Sequence, residues 1–133
     1  MHLFRIQIPW RLSTYQRCAM IDWQTKDLRN MGMELSLNTQ EAIENYLIHG
    51  WAPGGYVESM LAHDYERAFF VADTANRQTI WVLWHWILES APALCHGSYG
   101  AIDLWRNDVD GRRTTYRQDV EKKAIWNKLR TIA

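Results

Sequence analysis

Apolar positions along this chain keep two rhythms. Phe4, Ile6, Ile8 and Trp10 alternate with Arg5, Gln7 and Pro9, the period of two that a strand shows, and Pro9 confines a short N-terminal strand to a sheet edge. Leu12 to Arg29 carries only a loose helical pattern, and from Met33 onward the helical spacing tightens. Asn38 and Glu41 read as a capping box, Ile43, Tyr46 and Leu47 as the apolar face that follows, and Gly50 as the stop. Pro53, Gly54 and Gly55 predict a turn, and Tyr56, Val57, Met60 and Leu61 a short second helix. Asp64 is placed to cap a third, with Tyr65, Ala68, Phe69 and Ala72 on one face, unless the two are a single helix bent near His63.

Residues 73–92, DTANRQTIWVLWHWILESAP, dominate the pattern, with Asp73 or Thr74 as N-cap, Pro92 as stop and three of the eight tryptophans between them. Ile80, Trp81, Val82, Leu83, Trp84, Trp86, Ile87 and Leu88 cover most of a helix's circumference, and Gln78, His85 and Glu89 fall in one narrow polar stripe. A helix apolar nearly all round belongs inside. The expectation is an all-α, single-domain bundle around one buried central helix at about 73–91. Beyond it, Ser98 caps a short helix to about Arg106 with Ile102 and Trp105 inward, DVDG makes a turn, and Thr114 to Ile132 reads as a weakly docked helix.

A chain of 133 residues has the length of one domain. The change of rhythm divides it into a loosely attached leader (1–32), a helical core (33–107) and a basic C-terminal helix (108–133), and Met20, Met31 and Met33 are each alternative start sites. A chain begun at Met33 is therefore expected to keep its fold. Cys18 and Cys95 are too few and too far apart for a disulfide framework or a four-ligand zinc site, which suits a reducing host-cell cytoplasm. No apolar run is long enough for a membrane helix, so no membrane partner is expected.

Net charge is zero, but residues 31–110 hold three basic and eleven acidic groups, while the ends are basic. An acidic middle argues against a nucleic-acid-binding core, which needs clustered Lys and Arg, and suits a basic protein surface instead.

From Met33 the strings MELSLNTQEAIENYLIHG and PGGYVESMLAHDYERAFFVAD, then Asn76, AP, CHGS and Trp105, follow in order and at close to the spacing of a family of small bacteriophage and mobile-element proteins. Residues 33–107 resemble that family, which implies a compact helical protein in a phage or prophage setting and supplies no catalytic residues. The leader and the basic tail after Asp110 fall outside the resemblance.

His85 and Glu89, four apart on the central helix, have a spacing that can hold a metal or orient a base, but no HExxH or CxxC pattern supplies further ligands. Cys95, His96 and Ser98 crowd one loop, where adjacent side chains rarely converge and Ser98 is explained as a cap. The glycines of APGGY lack a preceding strand and a Walker lysine. These readings leave no cofactor and no catalytic set. The expected function is binding of a host protein, a defence-system component among the candidates, through an acidic helical surface with Trp51, Tyr56, Glu58 and Glu66 as the contact patch. The alternative is a nucleic-acid accessory protein placing Arg112, Arg113, Arg117, Lys122 and Lys123 on phosphates.

Overall fold

A computed structural model describes the backbone of residues 35–132 and the side chains of residues 35–124. The strand expected at Phe4, Ile6, Ile8 and Trp10 and the remainder of the leader lie outside these residues. Among the described residues every regular element is helical: α1 (Leu37–His49), α2 (Gly55–Leu61), α3 (Tyr65–Val71), α4 (Thr74–Gln78), α5 (Ile80–Ser90), α6 (Tyr99–Arg106) and α7 (Arg112–Ile132), with 3₁₀ turns at Ala93–Cys95 and Val109–Gly111.

Ser36, not Asn38, caps α1. Its extended backbone suits a cap and its Oγ accepts from the Thr39 N–H at 3.2 Å, whereas Asn38 is already helical. The far end stops at Gly50 as expected, in the left-handed conformation at φ 73°. There a side chain would also meet the Arg113 guanidinium, whose Nε lies 2.7 Å from the position of a Cβ.

Asp64 caps α3 through the Arg67 N–H, and α2 and α3 are separate helices because His63, between them, takes a left-handed φ of 63°. The hub of the packing is the seven-residue α2, which touches α1, α3, α5 and α6 and buries Val57, Met60 and Leu61. On α3 only Ala68 and Ala72 of the expected face are buried, while Tyr65 and Phe69 are exposed.

The tryptophan-rich segment departs from expectation in two ways. It is broken at Thr79 (φ −115°, ψ 14°), where α4 ends and α5 begins. The Thr79 hydroxyl turns back onto the carbonyls of Ala75 and Asn76, an alternative to the helical ladder that short polar side chains offer. Nor is α5 buried all round: Val82, Leu83, Trp86 and Ile87 are inside, but Trp81, Trp84 and Leu88 are 44%, 39% and 48% exposed. Among the described elements it packs chiefly on α2 and α4.

Ser98 caps α6, which turns Ile102 and Trp105 inward as expected. Trp105 sits between Tyr46 and Tyr116, with ring centroids 6.3 and 5.7 Å away. Its Nε1–H donates to the Tyr46 carbonyl at 3.2 Å, and the Tyr46 hydroxyl donates to the Cys95 carbonyl at 2.8 Å, so the polar atoms of both large rings are satisfied where water cannot reach them. Burial, with Cys95 close by, pushes the Tyr46 phenol well above its ordinary range.

Candidate functional site

The basic C-terminal segment is tied into the fold at its start. The Asp108 carboxylate accepts from the N–H groups of Arg113 and Thr114 and from the Thr114 hydroxyl, and these bonds, the hydroxyl's first among them, hold it below its ordinary pKa. Arg113 reaches across the bundle: Nε donates to the Trp105 carbonyl at 3.2 Å, Nη1 to Ile48 at 3.2 Å and Nη2 to Arg106 at 3.4 Å. One guanidinium thus satisfies carbonyls at the C-termini of α1 and α6, where a cation is also favoured by both helix dipoles. Arg112 donates to the Val109 carbonyl at 2.8 Å and pairs with Asp110 at 3.5 Å. Of the five residues considered for phosphate, Arg112 and Arg113 therefore have internal work, Arg117 is half-buried, and Lys122 and Lys123 are exposed beside an open groove of about 560 Å³ with Tyr116, Asp119 and Val120.

The residues considered for a protein contact do not form one patch. Trp51 is exposed and stacks on His49 at 4.9 Å, at the end of α1. Tyr56 is half-buried and donates to the Asn76 carbonyl at 3.3 Å, with burial, then Asp73, pushing its phenol up to about 12. Glu58 pairs with Arg67 at 3.3 Å, and Glu66 is exposed on α3. The polar stripe is divided as well: His85 Nδ1 meets Glu89 Oε1 at 3.4 Å on α5, while Gln78 is exposed on α4, across the Thr79 break.

What the fold does bring together is an aromatic cleft between α3 and α5. Met60, Tyr65, Ile80, Trp81 and Trp84 line a space of about 220 Å³. Trp84 Nε1–H donates to the Tyr65 hydroxyl at 2.7 Å and the rings meet edge to face, so two large side chains from different helices are held in a fixed relation at the surface. Small-molecule pockets run to roughly 300–1,000 Å³ with a few polar groups to orient the ligand. This space is smaller and its lining is apolar, dimensions that suit a single inserted side chain.

At the turn between α2 and α3 lies a polar network. Arg67 Nη1 donates to Ser59 Oγ at 2.9 Å, to the Tyr99 hydroxyl at 3.0 Å and to Glu58 at 3.3 Å, while Tyr99 donates to Asp64 Oδ2 at 2.7 Å. Next to it His63 Nε2 and His96 Nδ1 are 2.9 Å apart, and the His63 ring stacks on Tyr65 at 5.7 Å. His96 is held below the usual histidine pKa, by burial first and by His63 second. The crowded Cys95 loop therefore does have a partner, but it is His96 with His63, while Cys95 points inward with its thiol pushed up by burial. Among the described residues no group of three or more His, Cys, Asp or Glu side chains is placed to hold a metal ion, and no described helix is long and apolar enough to cross a membrane.

Reading the residues alone missed Tyr65, Trp81 and Trp84 as a site, and the signal was present. Trp81, Trp84 and Leu88 are spaced as one helix face, adjoining the polar stripe of His85 and Glu89. A polar stripe marks the solvent side, and the aromatic residues beside it lie on that side too. No family model matches the chain, and no curated protein or solved structure matches it at a significant level.

Proposed function

We propose that this protein is a small non-enzymatic factor of a phage or mobile element that docks onto a basic host protein, with a defence-system component as the favoured partner class. The observation that carries the reading is the Tyr65–Trp81–Trp84 cleft, an exposed aromatic site with its geometry already set. Exposed tryptophan is costly to leave in water, and Trp and Tyr are the residues that most often anchor protein interfaces. Charge complementarity points to a basic occupant. The three cations between residues 31 and 110 are exposed but each is bonded within the chain: Arg67 to Glu58, Ser59 and Tyr99, Arg77 to the carbonyls of Phe69 and Phe70, and Arg106 to that of Gly50. Exposed Glu66 and Glu89, on the two helices that form the cleft, carry the acidic surplus. The contact patch proposed here moves from Trp51, Tyr56 and Glu58 to the α3/α5 face and keeps Glu66.

The test is capture from host lysate followed by binding of the purified captured protein at two salt concentrations. A basic protein retained by the full chain, released by salt and lost on Trp81→Ser or Trp84→Ala supports the reading. A salt-sensitive DNA or RNA gel shift abolished by Lys122→Ala with Lys123→Ala would overturn it in favour of a nucleic-acid accessory role.

A further inference from the structure

We propose that His63 and His96 form a proton-operated latch on this cleft, closed while the pair holds at most one added proton and released when both rings are charged. The inference rests on the docking reading only in treating the cleft as the working surface; the latch itself is a property of the free protein.

At 2.9 Å the two nitrogens share one hydrogen bond, which needs one donor and one acceptor. Two neutral rings satisfy this, and so does one imidazolium facing one imidazole. Two imidazolium rings do not, because two N–H groups and two positive charges then face each other in a half-buried place. The second proton turns the bond into a repulsion.

The bond joins two segments that are also tied by Tyr99, which bonds Asp64 at 2.7 Å and Arg67 at 3.0 Å. His63 occupies the tight turn between α2 and α3 at φ 63°, a conformation a non-glycine residue adopts at a cost, and His96 lies in the loop before α6. The adjacent backbone bond from the Gly97 N–H to the Leu61 carbonyl, at 2.8 Å, keeps the loop near the turn when the side chains part. Other titratable and charged groups on the packed elements are Glu58 on α2, Asp64, Tyr65 and Arg67 at the turn and on α3, Cys95 in the loop and Tyr99 on α6. Asp64 already accepts from the Tyr99 hydroxyl and the Arg67 N–H, Glu58 accepts from Arg67, and Cys95 is a buried thiol, so the nearby carboxylates are engaged by other donors and neither is bonded to a histidine ring.

Transmission takes two contacts. His63 stacks on Tyr65 at 5.7 Å, and Tyr65 accepts the Trp84 indole hydrogen bond at 2.7 Å. A closed latch therefore holds the two cleft walls in register and preorganises the site, and double protonation releases Tyr65.

The measurement is the Trp84 indole N–H resonance, followed together with the histidine ring resonances from about pH 7.5 to 5, the range of histidine titration. His85 packs edge-on against Trp84 at 6.5 Å and would shift its resonance directly, so the series is run in the full-length His85→Gln protein. The latch predicts that the Trp84 resonance moves with the second proton of the His63–His96 pair. That movement disappears in His96→Asn, which keeps a hydrogen-bonding group without a titrating proton, and in His63→Asn, since asparagine tolerates the left-handed turn. A Trp84 resonance indifferent to pH, or one moving equally in both asparagine variants, overturns the proposal. Failure of partner capture at neutral pH, where the latch is closed, bears on the docking reading and leaves this result standing.

Discussion

Two aromatic clusters among the described residues are built from the same residue types and behave oppositely. Around Trp105 the ring of Tyr46 is covered and that of Tyr116 half-buried, the three rings come from three helices, and Arg113 closes the open helix ends beside them. Around Trp84 the rings of Tyr65 and Trp81 are open to solvent, although Trp84 and Tyr65 are joined by a hydrogen bond and an edge contact. The difference lies in the neighbours, since α6 is packed between other elements and α5 has a free side. Large rings thus stabilise the fold in one place, and in the other they remain available as a contact surface.

The contrast is broken most directly at Trp105. Trp105→Ala should cost about 3–5 kcal/mol of stability in a urea titration, as removal of a fully enclosed large side chain does. A loss near that of a surface substitution would mean that the two clusters are not different in kind.

Next in size is the closure above it. Arg113→Ala leaves carbonyls at the ends of α1 and α6 without their donor and should destabilise by about 1–3 kcal/mol. Gly50→Ala, which places a Cβ against the same guanidinium at a positive φ, should cost about 1 kcal/mol or more by the same measurement. Arg113→Ala without effect on the unfolding midpoint would return this residue to the set available for phosphate.

At the open cluster the expected signs separate. Trp81→Ser should change stability by no more than about 1 kcal/mol yet abolish capture of a basic partner, because interface anchors contribute about 2 kcal/mol or more to binding. Wild-type capture by the Trp81→Ser protein would remove the cleft from the interface. His85→Gln on the same helix should cost about 1 kcal/mol or less, and a stoichiometric metal in the purified protein, lost on that substitution, would contradict the structural role assigned to the His85–Glu89 pair.

The smallest effect is on stability against pH. His96 is held below its unfolded pKa of about 6.5. The unfolded chain therefore binds the proton more readily, and the His96 contribution is fully present above about pH 6.5 and declines as pH falls toward the folded value. Comparing the unfolding midpoint at pH 7.5 and 5.5 in the full chain and in His96→Asn isolates it, and a midpoint that rose on acidification through His96 would reverse the sign.

Much of the local structure was legible in the residues: the all-α class, the glycine stop at Gly50, the caps at Asp64, Asp73 and Ser98, and the inward turn of Ile102 and Trp105. These depend on interactions within a few residues, a side-chain oxygen reaching an N–H three positions on or a backbone angle that glycine adopts freely, so sequence spacing determines them. The cap of α1 was misplaced by two residues because Ser36 and Asn38 offer the same chemistry and only the path of the preceding chain chooses between them. The polar stripe of His85 and Glu89 marks the solvent side of α5, but how far that side extends round the helix was not legible. Val82, Leu83, Trp86 and Ile87 make one apolar stripe, Trp81, Trp84 and Leu88 make another, and the choice belonged to the position of α2. The meeting of His63 with His96, thirty-three residues apart, and the reach of Arg113 to Ile48, sixty-five apart, were likewise decided by packing. Side-chain spacing along a helix says which residues share a face, and only the neighbouring helices determine what that face meets.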